Sequence, residues 1–599
     1  MALNRELSDL FHALAALMEL RGDNVFKVIA FQKVSRILRE VNVDLKKCIE
    51  EGKLCEIEGI GKGSQQIIEE FVETGKSSVF EEVASAVPKG LVPLMSIEGL
   101  GPKTINLLWK ERGITSLDAL INAIDDGSLA TLKGIGPKKI DTIKKGIAQY
   151  KANLEGGGDG GVRRVGILPA MREAIPLLER VRTIPGIVGA EIAGSLRRKR
   201  ETIADVDIVA AVKDPSQGTK ISEMFVQLPG VIQTMVAGPS KTSVKIANGM
   251  QVDLRLVPAE NFGAALLYFT GSKEHNVKIR GLAQKKGMTL NEWGLYKLDE
   301  YEKAAKEIAK APPIKPVASK TEEDVYEALG LVYIEPELRE GFTEIDLARE
   351  KKLPVLIEQK DIRSDLHTHT TESDGLGSIE EMAHAAKEMG YDVLAITDHS
   401  KAMGMTNGLS VERLLKHIDN VHRISEKLKG ITLLVGSEVD ILVDGRLDYE
   451  DDVLKQLDIV VASPHLSLKQ DAKKATDRML RAIENPYVNI IGHPTGRLIN
   501  GREGLPLEMD KIIERAAKTG TALEINAGYP RLDLNDTNAR NAIEAGCVLS
   551  INTDAHSVPE FQNMSWGIGV ARRAGATKKH VINTWFLKDL RAFIAKKRP

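Results

Sequence analysis

Nine side chains of types that bind metal ions lie between residues 367 and 556, each close to the end of an apolar, β-prone segment. Together, imidazole and carboxylate ligands suit Mn²⁺, Zn²⁺ or Fe²⁺ and do not select among them. One such histidine alone is more often a buried structural residue, but the whole set predicts a metal centre. Its members are His367, His369, Asp374, His399, Glu438, His465, His493, Asp554 and His556.

The segments that carry these residues predict parallel strands. From residue 361 onward, short apolar runs such as YDVLAITDH, LDIVVASPH and CVLSINTDAH alternate with helical segments. That alternation is typical of a βα barrel-like fold. The carboxyl ends of barrel strands meet at one rim, where active sites of barrel enzymes lie. We therefore expect the nine residues to converge.

A second group of acids lies in the middle of the sequence. Asp205 and Asp207, in the strand-like run DVDIVAAV, point to one face because side chains alternate along a strand. Asp253, in MQVDLRLV, offers a third carboxylate from a predicted neighbouring strand. Three such acids repel one another unless divalent cations bind between them, and two ions held there can activate a hydroxyl and neutralise a leaving pyrophosphate. The alternative is that DVD merely ends a strand at the surface.

Three short turns of the form glycine, apolar residue, glycine occur in the first 150 residues, each followed by a lysine and a predicted helix. Glycine at such turns allows positive φ and close approach of a phosphate to backbone N–H groups at the start of a helix. The turns resemble helix-hairpin-helix motifs, which grip DNA without reading its sequence; the alternative is an ordinary tight turn. The residues concerned are Gly59, Gly61 and Lys62; Gly99, Gly101 and Lys103; and Gly134, Gly136 and Lys138.

Length and composition limit the class of protein. A chain of 599 residues predicts several domains, and a net charge of −2 leaves any basic surface to be argued locally. The three cysteines, Cys48, Cys55 and Cys547, form no disulfide framework. The charged start MALNRELSDL is not a secretory signal, and no apolar run approaches the roughly 18 residues of a membrane span. We expect a soluble, cytoplasmic, monomeric protein with no membrane partner.

Two longer motifs, GSLRR followed by DVD and YFTGSKEHNVKIR, complete a family resemblance. With the histidine pattern, they resemble the bacterial and archaeal family X DNA polymerases that carry a C-terminal PHP (polymerase and histidinol phosphatase) domain. The resemblance implies α-helical helix-hairpin-helix domains, an α+β nucleotidyltransferase palm and thumb, and an α/β PHP domain built as a distorted βα barrel. The implied domains are 1–85 (amino-terminal DNA-binding), 90–152 (hairpin fingers), 163–258 (palm), 259–335 (thumb), 336–360 (linker) and 361–599 (PHP).

The same resemblance implies roles in nucleotide addition. Asp205, Asp207 and Asp253 would hold two Mg²⁺ or Mn²⁺ ions. The other implied contacts are those of Ser195 and Arg198 with the triphosphate, of Tyr268 and Phe269 with the sugar, of Asn276 with the incoming base and of Arg280 with the template. Gly194 and Gly271 are also implied to lie in the nucleotide-binding site. The partners would be gapped or primer-template DNA and deoxynucleoside triphosphates, and the role gap filling in base excision repair by a nucleoid-associated enzyme.

For the PHP domain, the resemblance implies up to three ions and hydrolysis of phosphoesters by a metal-activated water. One ion would take His367, His369, Glu438 and Asp554, a second Glu438, His465 and His493, and a third Asp374, His399 and His556. The implied activity is a 3′-5′ exonuclease, with an abasic-site endonuclease left open. Arg446 and Arg497 are candidate phosphate contacts, whereas His384, His417 and His422 are predicted at the surface.

The sequence departs from the family in two places, and two other functions remain open. An arginine expected near the start of the catalytic core, to bind the triphosphate, is not evident around VGILPAMRE. Ile67 stands where animal repair members have a Schiff-base lysine, and isoleucine cannot form an imine. The first alternative function is a small-molecule phosphatase of the PHP type with a DNA-binding amino-terminal half. The second is a non-enzymatic DNA scaffold.

Overall fold

The computed structural model describes residues 2–40, 45–50, 52–54, 57, 59–97, 99–132, 134–137, 139–144, 146–147, 164–304 and 312–598. The chain divides into two compact units, Met1–Arg164 and Val165–Pro599. Within the described ranges, no helix combines the length and the apolar character that crossing a membrane requires.

The first unit is helical and has its own apolar core. Phe11 and Phe31 meet edge to face in this core, with ring centroids 5.4 Å apart, because apolar residues recur at helical spacing in the first two helices. The helices of the described residues are Ala2–Arg21, Val25–Glu40, Leu45–Glu50, Lys62–Thr74, Ser78–Ser85, Pro102–Arg112 and Leu117–Asp125.

The three glycine turns have one geometry. The first glycine of each turn has a φ between +90° and +99°, at Gly59, Gly99 and Gly134. The second glycine, Gly61, Gly101 or Gly136, accepts the first two hydrogen bonds of the helix that follows, from the N–H groups three and four residues on. Three separate segments therefore fold as the same hairpin, as the repeated sequence predicts.

The second unit begins with a mixed sheet, whose strands lie in the order Ile187–Ile192, Asp205–Val212, Gln251–Pro258, Lys241–Ile246 and Val231–Ala237. Helix Ile167–Arg182 packs against it and shares its apolar core, and the helices Gly194–Arg197 and Gly218–Val226 connect its strands. The strands up to this point are β1 Val165–Gly166, β2 Ile187–Ile192, β3 Thr202–Ile203, β4 Asp205–Val212, β5 Val231–Ala237, β6 Lys241–Ile246 and β7 Gln251–Pro258.

A small helical layer follows the sheet. It contains the hairpin of β8 (Met288–Asn291) and β9 (Gly294–Lys297). Ile345 and Ala348, from the segment predicted as a linker, belong to the same apolar cluster as Leu267 and Ile279. The helices of this layer are Phe262–Thr270, Lys273–Lys285, Leu298–Ala304, Glu322–Ala328 and Glu344–Arg349.

The last part of the chain forms a seven-stranded parallel sheet in sequence order. An additional parallel bridge joins Thr368, just after the first strand, to Ala555, just after the last, so the sheet is nearly closed. The predicted βα barrel is confirmed. Its strands are β10 Ser364–Asp365, β11 Val393–Ile396, β12 Thr432–Asp440, β13 Ile459–Ser463, β14 Ile490–Ile491, β15 Ala522–Asn526 and β16 Leu549–Asn552.

Helices surround this barrel, and the last of them packs on its strands. Leu590 and Ile594 of helix Leu587–Lys596 form one apolar cluster with Val393, Ile459 and Ile490, which lie at the starts of their strands. The opposite, carboxyl ends of the strands are therefore the ends left for a site. The remaining helices are Ile379–Glu388, Val411–Ser425, Asp451–Leu454, Ala472–Glu484, Met509–Thr519, Asp536–Glu544 and Met564–Arg573.

Candidate active sites

The three acids of the mixed sheet lie on adjacent parallel strands. Asp207 of β4 is directly opposite Asp253 of β7, and Asp205 is opposite Gln251. Gly194 comes close to this pair: its φ is +63°, and a Cβ built on it would lie 2.6 Å from Asp207 Oδ2. A side chain at that position would displace the carboxylate, so the turn requires glycine.

The three carboxylates have too little positive charge near them to balance their negative charge. Burial raises the pKa of Asp207 to about 7, and the neighbouring carboxylates of Asp205 and Asp253 add to the rise. Lys241 Nζ lies 2.8 Å from Asp253 Oδ2. Although burial opposes it, hydrogen bonds from Lys241 and Gln251 hold the pKa of Asp253 below its ordinary value. The Lys241 ammonium balances part of the negative charge of these carboxylates. The need for positive charge at this place fits the binding of divalent ions.

Convergence is tighter in the barrel than in the sheet. Among the described residues, the groups of three or more candidate ligands with all their ligand atoms within 4.8 Å of one another are in the barrel. The three sheet carboxylates do not form such a group. The Asp253 carboxylate instead pairs with Gln251 of its own strand, β7, and with Lys241 of the neighbouring strand, β6.

The other predicted nucleotide and template contacts lie on or next to the short helix Gly194–Arg197 and the two helices Phe262–Thr270 and Lys273–Lys285. The rings of Tyr268 and Phe269 meet edge to face at 5.2 Å, and Asn276 Nδ2 donates to the Tyr268 carbonyl at 2.7 Å. Arg198 donates to the Thr270 carbonyl and, from Nε, to Glu340 Oε1 at 3.0 Å. Arg280 is exposed on its helix. Ser195 lies in the first turn of the short helix that begins at Gly194.

At the carboxyl ends of the barrel strands, the nine predicted ligands come together around one carboxylate. Glu438 is fully buried, and the imidazole nitrogens of five histidines lie 2.9 to 3.6 Å from its oxygens. These histidines are His367, His369, His399, His465 and His493. Burial opposes its ionisation, but the imidazoles of His465, His367 and His399 hold the pKa of Glu438 well below its ordinary value.

Three overlapping groups of ligands are preformed. They are His367, His369, Glu438 and Asp554; His369, Asp374, His399 and His556; and His399, Glu438 and His465. The first matches one predicted ion set. The second adds His369 to the predicted third set, and the last places His399 beside Glu438 and His465. His493 Nε2 lies 2.9 Å from Glu438 Oε1, the oxygen that His465 also approaches.

Two observations on the barrel fit bound cations. His369 Nδ1 and His493 Nδ1 are buried without a hydrogen-bond partner among the described residues, and each orphaned polar atom costs about 1–3 kcal/mol. His493 and Asp554 also have positive φ values of 24° and 53°, a backbone strain that is common at functional sites. A divalent ion bound by these groups would relieve the first cost.

Comparisons with known proteins agree with this geometry. The DNA polymerase beta thumb profile matches residues 265–340 and the PHP domain profile matches 365–528. A helix-hairpin-helix domain matches 2–77, and a SAM-like helix-hairpin-helix tandem matches 91–149. The chain is 38% identical over 592 residues to the DNA polymerase/3'-5' exonuclease PolX of Bacillus subtilis (strain 168), covering 98% of this chain and 99% of that one.

This chain belongs to the PHP-containing family X DNA polymerases. This chain is also 32% identical to a probable phosphatase of Thermoanaerobacter sp. (strain X514), but that match covers only 37% of the length of this chain. The comparisons confirm the predicted fold class and the prediction of an enzyme with polymerase and 3′-5′ exonuclease domains. Polymerase and PHP domains together imply dependence on divalent metal ions.

The sequence analysis did not identify the carboxylates that contact the predicted ligand histidines of this family X polymerase. Glu524 is fully buried in β15; its Oε1 lies 2.9 Å from His367 Nδ1, and its Oε2 accepts from the His493 N–H at 2.6 Å. Asp440 Oδ1 lies 3.1 Å from His465 Nδ1. An acid inside an otherwise apolar strand was the available signal, because burial of such a group requires partners.

The prediction that His417 lies at the surface is wrong. It is 2% exposed, and its Nε2 lies 3.2 Å from Asp398 Oδ2. Asp398 also accepts hydrogen bonds from Thr370 and Ser373, which flank the loop between His369 and Asp374. His384 and His422 are exposed, as predicted.

Replacing Glu524 by glutamine is expected to weaken metal binding about 10- to 100-fold, the usual effect of losing an outer carboxylate that orients a ligand histidine. The measurement is the metal content retained after dialysis against graded chelator, together with exonuclease activity. Glu544→Gln, an exposed carboxylate on helix Asp536–Glu544, is the matched control. Equal metal retention by the two variants would contradict the orienting role.

Proposed function

We propose that this enzyme fills short gaps in DNA at the carboxylates of the mixed sheet and processes 3′ ends at the histidine-rich barrel site, in DNA repair. The two sites lie on different sheets, so each reaction has its own residues. The observation that carries the proposal is the presence of two separate sets of candidate metal ligands: five histidines that converge on Glu438, and Asp207 paired with Asp253 on adjacent strands of the other sheet.

At the sheet, Asp205, Asp207 and Asp253 would hold two Mg²⁺ or Mn²⁺ ions, which when bound supply activation of the primer 3′-hydroxyl and neutralisation of the leaving pyrophosphate. Ser195 and Arg198 bind the triphosphate and Gly194 keeps the turn close to Asp207. Tyr268 and Phe269 pack beside the sugar and limit space for a ribose hydroxyl, and Gly271 follows them in the nucleotide-binding site. Asn276 contacts the incoming base in the minor groove, where a shared acceptor reports pair shape and not sequence. Arg280 meets the template.

The helical hairpins bind the DNA phosphates. Gly59, Gly61, Gly99, Gly101, Gly134 and Gly136 present backbone N–H groups, and Lys62 and Lys103 are exposed beside them. Lys138, assigned the same role, lies outside the described residues. Ile67 is 4% exposed in the apolar core of the first unit, and its side chain cannot form an imine, so the proposal includes no lyase at that position.

At the barrel, the nine ligands would hold up to three Mn²⁺, Zn²⁺ or Fe²⁺ ions, which supply a nucleophilic water and stabilise the charge of the attacked phosphoester. Glu438 lies between the ligand groups, and Glu524 and Asp440 fix the imidazoles of His367 and His465. The substrate is the 3′-terminal phosphodiester. Similarity to a probable phosphatase favours a second activity there, removal of a 3′-phosphate.

The arginine for the scissile phosphate is Arg531. Both earlier candidates are paired with carboxylates outside the ligand cluster: Arg446 with Asp444, and Arg497 with Glu201, which lies between the short helix Gly194–Arg197 and β3, at 2.7 Å. Arg531 Nε lies 3.7 Å from Asp554 Oδ2, with its side chain 27% exposed. Burial lowers the pKa of His493, and the positive charge of Arg531 lowers it further, so that charge reaches into the ligand cluster.

Replacing Arg531 by glutamine is expected to lower exonuclease kcat/KM roughly 10- to 100-fold, because a charge-assisted hydrogen bond to phosphate contributes about 1.5–3 kcal/mol. Primer extension should remain unchanged. The control is Arg591→Gln, an exposed arginine of the last helix. Nuclease activity equal to that of the control would remove Arg531 from the substrate site.

A gapped duplex with a labelled primer tests both reactions at once. With Mg²⁺ or Mn²⁺, the primer should lengthen to fill the gap when nucleotides are present and shorten when they are omitted. A primer ending in a 3′-phosphate should become extendable. Turnover of a small phosphate monoester without any action on the duplex would favour the phosphatase alternative.

A further inference from the structure

A network of ion pairs joins the turn of residues 194–198, which carries the proposed triphosphate contact Arg198, to the PHP barrel. Glu340 lies at its centre, between Arg198 of the turn, whose Nε is 3.0 Å from Oε1, and Arg573 of helix Met564–Arg573, whose Nη1 is 2.8 Å from the same oxygen. Arg573 also donates to the Arg198 backbone carbonyl at 2.8 Å and pairs with Asp536 at 2.6 Å. The barrel thus holds the turn at its main chain and at its side chain.

These groups are buried, so the pairs are little screened by water. The side chains of Arg573, Glu340 and Arg198 are 2%, 11% and 12% exposed. Burial opposes the ionised form of Glu340, but the charges of Arg573 and Arg198 hold its pKa below the ordinary value. Breaking one partner of such a pair leaves an uncompensated charge and costs more than a surface pair does.

Arg198 is held in a way that leaves part of its guanidinium for a ligand. Nε donates to Glu340 and Nη1 to the Thr270 carbonyl, while Nη2 makes no hydrogen bond within the described part of the chain. Gly271 supports this pose, since a Cβ there would lie 3.2 Å from Nη1. A guanidinium fixed through two nitrogens loses little rotamer entropy when the third meets a phosphate.

The surrounding charge favours an anion. Arg200 and Arg540 lie near the same two carboxylates, Glu340 and Asp536, and Glu544 is a third acid beside Arg540, so four arginines face three acids. A single glutamate facing Arg198 alone would neutralise it. Because Arg573 shares Glu340, the cluster keeps an excess of positive charge for a triphosphate.

We propose that Glu340 is a positioning residue for Arg198 and that Arg573 of the PHP barrel fixes Glu340, so that the barrel is part of the nucleotide-binding apparatus of the polymerase. This rests on the proposed contact of Arg198 with the triphosphate. The direction in which nucleotide binding changes distinguishes a positioning role of Glu340 from competition for Arg198. If Glu340 only competed for Arg198, its removal would tighten nucleotide binding, whereas a positioning role requires that binding weaken.

The test uses the full chain on a single-nucleotide gap and measures KM and kcat for the complementary nucleotide. Glu340→Gln and Arg573→Gln should each raise KM about tenfold, the equivalent of 1.4 kcal/mol, with kcat changed less than about twofold. Glu337→Gln is the matched control: Glu337 also pairs across this junction, with Arg572 at 2.8 Å, but makes no contact with Arg198. It should leave KM unchanged.

Exonuclease activity of the same samples shows whether the barrel is folded, and if Arg573→Gln loses it, the comparison of Glu340→Gln with Glu337→Gln decides alone. Arg198→Gln must itself raise KM, and adding Glu340→Gln to it should have no further effect. An unchanged KM in Arg198→Gln would overturn the triphosphate contact, and this proposal with it. A raised KM there, with an unchanged or lowered KM in Glu340→Gln, would overturn the positioning role alone.

Discussion

Asp253→Asn is expected to reduce primer extension about a thousandfold or more while leaving the exonuclease intact. Asp253 is 6% exposed and lies directly opposite Asp207 on the neighbouring parallel strand, so its carboxylate is proposed as a ligand of the polymerase ions. The amide keeps the shape and the hydrogen bond from Gln251 but removes the charge. A loss of about 4 kcal/mol in transition-state stabilisation corresponds to roughly three powers of ten in rate.

The measurement is single-turnover extension of a gapped duplex at saturating Mg²⁺, with 3′ shortening of the same primer as an internal check. Glu223→Gln, an exposed carboxylate of helix Gly218–Val226, is the control and should extend normally. Lys241 loses a charged partner at 2.8 Å in Asp253→Asn, so thermal unfolding should be compared as well. Near-normal extension by a folded Asp253→Asn variant would exclude this carboxylate from the polymerase site.

Much of the architecture was predictable because its signals are local. A glycine turn, a run of β-prone residues and the spacing of two in DVD each report on a few neighbouring residues. The rim of the barrel followed from one further rule, that parallel strands bring their carboxyl ends together. With that rule, residues as distant as His369 and Asp554, whose Nε2 and Oδ1 lie 3.0 Å apart, could be assigned to one cluster.

What could not be predicted depends on pairs with no local signal. Glu524 meets His367 across 157 positions of sequence, and Arg198 meets Glu340 across 142. His417 was predicted at the surface of its helix, yet its Nε2 lies 3.2 Å from Asp398, the residue next to the proposed ligand His399. The helical pattern predicts which face of the helix is buried. It does not predict which buried acid a histidine on that face will contact.

Replacing Glu438 by glutamine is expected to abolish 3′ shortening, by about a thousandfold or more, and to leave extension within about twofold of the unmodified enzyme. Five imidazole nitrogens lie within 3.6 Å of its two oxygens, and the carboxylate belongs to two of the three preformed ligand groups. The amide would keep the volume of the side chain but lose the negative charge that balances bound cations. Metal content should fall along with the nuclease activity, whereas loss of activity at full metal content would argue against a ligand role.

His465→Ala provides an independent route to the same result, because it removes a proposed ligand imidazole and leaves the Glu438 carboxylate in place. Its control is His422→Ala, an exposed histidine on helix Val411–Ser425, which should keep both activities. The two-site arrangement requires that nuclease and extension separate in these variants. If extension were lost together with the nuclease in folded His465→Ala, both reactions would have to depend on the barrel ligands, and the division of labour between sheet and barrel would be wrong.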